Sequence, residues 1–130
     1  MDIRIIAVGS EKNELGRDIV AEYTSRILRY APVEWTFVPS STAREEGKRV
    51  LKFFSSLGTG AHLVLLDETG KGMSSKMFSN FIQTRLNGGT RALVFVIGGA
   101  YGFDEAVRVR ADSTISLSQL TFPHQLARGI

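Results

Sequence analysis

Three stretches rich in glycine or hydroxyl residues hold the chemistry open to this chain. In Gly98-Gly99-Ala100-Tyr101-Gly102 the missing side chains would let a ligand lie against backbone amides, although the same residues also suit a tight strand-to-helix turn. In Asp67-Glu68-Thr69-Gly70-Lys71-Gly72 the Gly70-Lys71 pair hints at a phosphate loop, but the upstream glycine and the following Ser or Thr of a Walker motif are absent. From Ser116 to His124, apolar and hydroxyl residues alternate before Pro123. Such a loop can wrap a small amphipathic ligand with backbone groups while its apolar side chains cover an aromatic ring. It also reads as a strand running into a helix N-terminus, with His124 as a structural group.

Other chemistries lose their support. Zero cysteines remove thiolate catalysis, disulfide frameworks and Cys-based zinc sites, and fit a reducing compartment. Two histidines without helical metal-ligand spacing leave no metal site to expect. No Gly-x-Ser-x-Gly nucleophile elbow occurs. After Gly9 the next glycine is Gly16, too far for a dinucleotide-binding turn.

The elements that must position these loops follow from apolar periodicity. Ile3 to Val8, Val33 to Val38, His62 to Leu66, Ala92 to Ile97 and Thr114 to Leu117 read as five strands. Between them run stripes of helical spacing. Leu15, Ile19, Val20, Tyr23, Ile27 and Tyr30 share one helix face. Thr42 and Glu45 stand at capping-box spacing before a helix with Val50, Leu51, Phe53, Phe54 and Leu57 inward and Lys48, Arg49 and Lys52 outward. Ser75 to Leu86 forms a helix with Met77, Phe78, Phe81 and Ile82 inward, Asp104 to Arg110 a short one, and Pro123 opens a last. The third and fourth strands are apolar throughout, so both faces are covered, as in a parallel sheet with crossover helices. The fold class is α/β, and in such sheets ligands sit outside the carboxyl ends of the strands, where all three loops lie.

Length and charge agree. At roughly 150 residues per domain, 130 residues make one domain, residues 1–130. Hydrophobic residues at 43% and charged ones at 22% place the chain among ordinary globular domains rather than disordered or fibrous ones. No apolar run approaches the roughly 18 residues of a membrane span, and the start lacks the basic, then apolar, pattern of a signal peptide. A cytoplasmic protein without membrane contact is expected. Net charge is +3, and from Thr69 onward seven basic residues face three acidic ones, an asymmetry that suits phosphate recognition.

Taken together the segments resemble a known family, the small bacterial SPOUT methyltransferases that methylate a pseudouridine in large-subunit ribosomal RNA. The matching residues are Ile5-Ile6-Ala7-Val8-Gly9, Leu66-Asp67 with Gly70-Lys71, Val96-Ile97-Gly98-Gly99 with Gly102, and Ser116-Leu117-Ser118 with Leu120-Thr121-Phe122-Pro123-His124-Gln125. Their order and spacing match over essentially the whole chain, and the last segment is the most specific. The resemblance implies a parallel-sheet SPOUT fold with a C-terminal trefoil knot, a departure from the rule that chains do not knot. It implies a homodimer, and S-adenosylmethionine as cofactor, held largely through backbone groups by Leu66, Gly98, Leu117, Ser118, Gln119, Leu120, Thr121 and Phe122. The implied reaction moves the sulfonium methyl to ring N3 of a pseudouridine in 23S rRNA within the ribosome, with Arg and Lys of the second half on its phosphates. No catalytic residue is assigned and no metal is implied.

One departure concerns the end of the chain. In the family the segment opening at Pro123 grows into a long helix and a tail near the target base, whereas here it stops at Gly129-Ile130, which leads us to expect a truncated C-terminal helix. A catalytically impaired module that binds the cofactor or RNA is therefore the alternative to an active enzyme.

Overall fold

The computed structural model describes residues 1–9, 32–98 and 102–116. Within them lie β1 (Asp2–Val8), β2 (Val33–Val38), α1 (Ala43–Ser56), β3 (Ala61–Gly72), α2 (Ser75–Asn87), β4 (Ala92–Ile97), α3 (Glu105–Arg110) and β5 (Ser113–Ser116). The strands form one sheet in the order β2-β1-β4-β3-β5, and every neighbouring pair is parallel. This is the α/β architecture expected from the apolar runs. The helix expected over Leu15 to Tyr30, the segment opening at Pro123 and the knot involve residues outside the described ones.

Alternation along the strands splits the core in two. Ile3, Ile5 and Ala7 of β1, with Leu93, Phe95 and Ile97 of β4, pack on one face with Phe78 and Ile82 of α2. Ile6, Val8, Val94 and Val96 face the other way, against Val50 and Phe54 of α1 and Val107 of α3. Phe95 is fully buried in the middle of the sheet, its ring centroid 5.6 Å from that of Phe78. One inward assignment fails. Met77 is 41% exposed because it stands at the margin of the α2 stripe centred on Phe78 and Ile82.

The helix starts follow local chemistry. Thr42 caps α1 by accepting from the Glu45 amide at 3.1 Å, as the spacing predicts. The return arm of the box comes from Glu46 instead, whose Oε2 accepts from the Ser41 amide at 2.7 Å. Ser74 caps α2 through the Met77 amide, and Asp104 caps α3 through that of Ala106. Lys48, Arg49 and Lys52 are exposed on the outer side of α1, as expected.

His62, the second residue of β3, lies at the amino end of the sheet, with its Nε2 2.9 Å from Ser113 Oγ and its ring edge-on to Phe81. Burial pushes its pKa below the ordinary histidine value, and the charges of Arg85 and Arg110 add to this while Asp112 opposes it. Below about pH 6.5 the unfolded chain therefore binds a proton that the folded one resists. Stability is full above that value and erodes as pH falls through it toward the folded pKa. Thermal midpoints measured from pH 7 to pH 5 should fall more steeply for the wild type than for His62→Gln, and parallel curves would count against this role.

Candidate functional site

At the carboxyl edge of the sheet the register brings the candidate residues together. Leu66 of β3 lies opposite Ile97 of β4 on one side and Ile115 of β5 on the other. Gly98 follows Ile97 directly, so it lies just past the end of β4, beside Leu66 within the neighbouring strand β3. β5 runs on the far side of β3 and ends at Ser116, the residue from which the chain enters the stretch 117–122. Leu117, Ser118, Gln119, Leu120, Thr121 and Phe122 themselves, with His124, lie outside the described residues. Leu66 and Gly98 are both half-buried, and Leu66 packs against the core on the α2 face.

The stretch 67–72 is not a loop after a strand but a continuation of β3. Its pairing with β5 jumps, with Leu66 and Lys71 both opposite Ile115, so that the four residues between them are extruded as a bulge. Gly70 explains how the bulge closes. A Cβ there would sit 2.6 Å from the Thr114 carbonyl carbon and 2.7 Å from both Thr114 O and Ile115 N. The glycine that hinted at a phosphate loop serves instead to let one backbone cross another.

The bulge is tied to α3. Asp67 Oδ2 accepts from Arg108 at 3.1 Å and from the Thr69 hydroxyl, and Arg108 also stacks over the Phe103 ring. Burial alone would raise the Asp67 pKa, but the bonds from Thr69 and Arg108, together with the charge of Arg108, outweigh it and hold the carboxyl below its ordinary range. Phe103 in turn presses on Gly98, the residue after β4. A Cβ on Gly98 would meet its ring at 3.1 to 3.4 Å, so Gly98 is small for a packing reason as well as for any ligand.

Gly9, at the end of β1, has φ +61°, and a Cβ there would touch Ser40 at 3.4 Å. It is therefore less tolerant of substitution than its isolation from other glycines implies.

Several second-half cations are engaged within the fold. Arg108 pairs with Asp67, Arg110 lies 3.5 Å from Asp112 and over Phe54, and Arg85 stacks over Phe81. The outer side of α1 adds exposed Arg44, Lys48, Arg49 and Lys52, from the first half of the chain.

Periodicity also passed over Glu46. Its side chain is only 2% exposed; Oε2 takes the Ser41 amide, while Oε1, also buried, has no hydrogen-bond partner. It lines a cleft with Val8, Gly98, Gly102, Phe103 and Asp104. The signal was a charged residue on the inward side of α1, masked by Glu45, which already satisfied the capping spacing. Among the described residues no group of three His, Asp or Glu is placed to hold a metal ion, and no helix is long and apolar enough to cross a membrane.

Comparison with known proteins supplies the context. A family profile described as "Predicted SPOUT methyltransferase" matches residues 1–130. The chain is 42% identical over 135 aligned positions to a Geotalea daltonii protein named "Ribosomal RNA large subunit methyltransferase H", covering 98% of this chain and 86% of that protein. Proteins of the same name from Christiangramia forsetii, 40% identical with 98% and 86% covered, and Parabacteroides distasonis, 36% identical with 100% and 87% covered, are similar as well.

Proposed function

This chain belongs to the SPOUT methyltransferase family, and on that premise we propose that it transfers the methyl group of S-adenosylmethionine to ring N3 of a pseudouridine in 23S rRNA within the ribosome. The observation that carries this reading is the convergence at one sheet edge of Leu66, Gly98 and the exit of β5 into residues 117–122. The names of the relatives supply the substrate class, large-subunit rRNA.

The residues present fit an amphipathic nucleoside. Leu66 offers an apolar side chain, half-buried Gly98 lies beside it without a side chain, and the Phe103 ring packs against Gly98. Leu66, Gly98 and the backbone of Leu117, Ser118, Gln119, Leu120, Thr121 and Phe122 would hold the cofactor, which when bound supplies a methyl on a positively charged sulfur. The protein's part is to align the target nitrogen with that methyl, to let the N3 proton leave, and to hold an exposed base. Exposed cations on α1 and in the second half would grip phosphates.

Incubating the protein with ribosomes and S-adenosylmethionine labelled in the methyl group, then locating the label in the RNA, tests the reaction. Label on N3 of one pseudouridine is expected; no label, or label on another atom, overturns it. Gly98→Val should weaken cofactor binding by about 10-fold in calorimetry, because the added methyls displace Phe103 and fill space beside the end of β4. An unchanged dissociation constant in a folded variant would remove Gly98 from the site.

The family resemblance and the apolar Leu126 and Ile130 near the end of the chain support a homodimer formed by single-domain protomers. Light scattering at micromolar concentration should return twice the 14.3 kDa chain mass, and monomer mass alone would refute the dimer.

A further inference from the structure

A buried carboxylate oxygen without a donor is costly, and Glu46 Oε1 is one. Glu46 sits in the first turns of α1, where Oε2 is committed to the Ser41 amide. Oε1 is left without a donor, and Glu46 lines a cleft between α1 and residues Gly98 and Gly102 to Asp104. Apart from Glu46, one carboxylate lines this cleft, that of Asp104, and the remaining walls are apolar side chains and glycines: Val8, Val50, Phe103, Val107, Gly47, Gly98 and Gly102 among them. Its volume is about 10 Å³, close to the minimum for a single water molecule.

Two carboxylates lining one cleft with otherwise apolar walls suit a small donor of two protons. We propose that the cleft holds one ordered water, donating one proton to Glu46 Oε1 and the other to the Asp104 carboxylate, and that Glu46 through this water is a positioning residue for Gly98. The water site stands on the geometry alone; the positioning role rests on the function proposed above.

Three further observations explain why this spot bears on Gly98. Gly98, which follows β4, and Asp104, which precedes α3, both line the cleft. Gly47, next to Glu46, has no room for a side chain: a Cβ would lie 2.9 Å from Val107 Cγ2 and 3.2 Å from Asp104 Cβ. Asp104 also caps α3, so a shift of its carboxylate shifts the start of that helix. The cleft lies between the ends of β1 and β4, where the chain leaves β1 for the β2 edge and leaves β4 for the β5 edge. Parallel sheets open a crevice at such a divergence.

The test separates positioning from mere support. Glu46→Gln replaces the acceptor at Oε1 by a donor, and Asp104→Ser removes the carboxylate while keeping a good helix cap. Each should weaken S-adenosylmethionine binding about fivefold in calorimetry, with the KM for ribosomes unchanged. Because both act through one water, the double variant should also lose about fivefold and not the product of the two. Affinities within twofold of the wild type, or a full product in the double variant, would overturn the positioning role, whatever happens to the thermal midpoint. A high-resolution crystal structure of the unaltered protein should show the water between Glu46 and Asp104, and an empty cleft would overturn the site itself even if a variant failed to fold. Failure of the wild type to bind S-adenosylmethionine would instead remove the proposed function and the positioning role together, leaving the water to be judged by the crystal.

Discussion

Gly70→Val should destabilise the protein by about 3 kcal/mol or more, toward the upper end of what overpacking costs, and lower its thermal midpoint by roughly 10 °C. The contact is with backbone, not with a side chain that can swing aside: Thr114 and Ile115 belong to β5, which is held by the β3 bulge on its only described flank. Either the bulge opens or β5 moves, and the second outcome displaces the entry to residues 117–122. Cofactor binding should therefore fall with stability. Gly58→Ala is the control, since its positive φ costs something while its surroundings are open. A Gly70→Val midpoint within 2 °C of the wild type would show that the crossing is looser than the structure has it.

The second large effect concerns substrate. Assembled ribosomes should be methylated on the order of 100-fold faster than a short hairpin carrying the same pseudouridine, because phosphate contacts supply salt-sensitive affinity but little selection. A chain of 130 residues with net charge +3 has few cations to spend, and arginines such as Arg108 and Arg110 are already paired with carboxylates of the fold. Discrimination among many uridine-like bases must then come from the shape of the particle around one of them. Comparing initial rates on ribosomes, free rRNA and hairpin at fixed salt measures this, and equal rates on hairpin and ribosome would refute it.

Much of the fold was legible because apolar runs and helical stripes differ in period. The strands at Ile3 to Val8, Val33 to Val38 and Ala92 to Ile97 stand where the residues place them, the first beginning one residue earlier at Asp2. Strand order was not legible. A run such as Leu93-Val94-Phe95-Val96-Ile97 says that both faces are covered, not which strand lies beside it. The length of β3 was hidden for a different reason: Asp67, Thr69, Gly70 and Gly72 are turn formers in isolation, and only the approach of β5 makes an extended bulge of them. Leu66 and Gly98 were named from resemblance, and the register that makes them neighbours is a property of the assembled sheet. Glu46 escaped because a buried acid cannot be told from a surface one by charge or spacing alone.

The sheet order also governs the tempo of folding. β1, at the start of the chain, has β2 on one side, but its inner neighbour β4 is contributed only from Ala92 onward, and β3 must wait for β5 at Ser113. Pairings that span most of the sequence close large loops before any of them is rewarded, which places refolding among the slower single domains, in milliseconds to seconds. During synthesis, at about 5–20 residues per second, the apolar strand Ile3-Arg4-Ile5-Ile6-Ala7-Val8 emerges several seconds before β4 can cover its open edge. That interval, more than the finished structure, is when this chain is most exposed to aggregation.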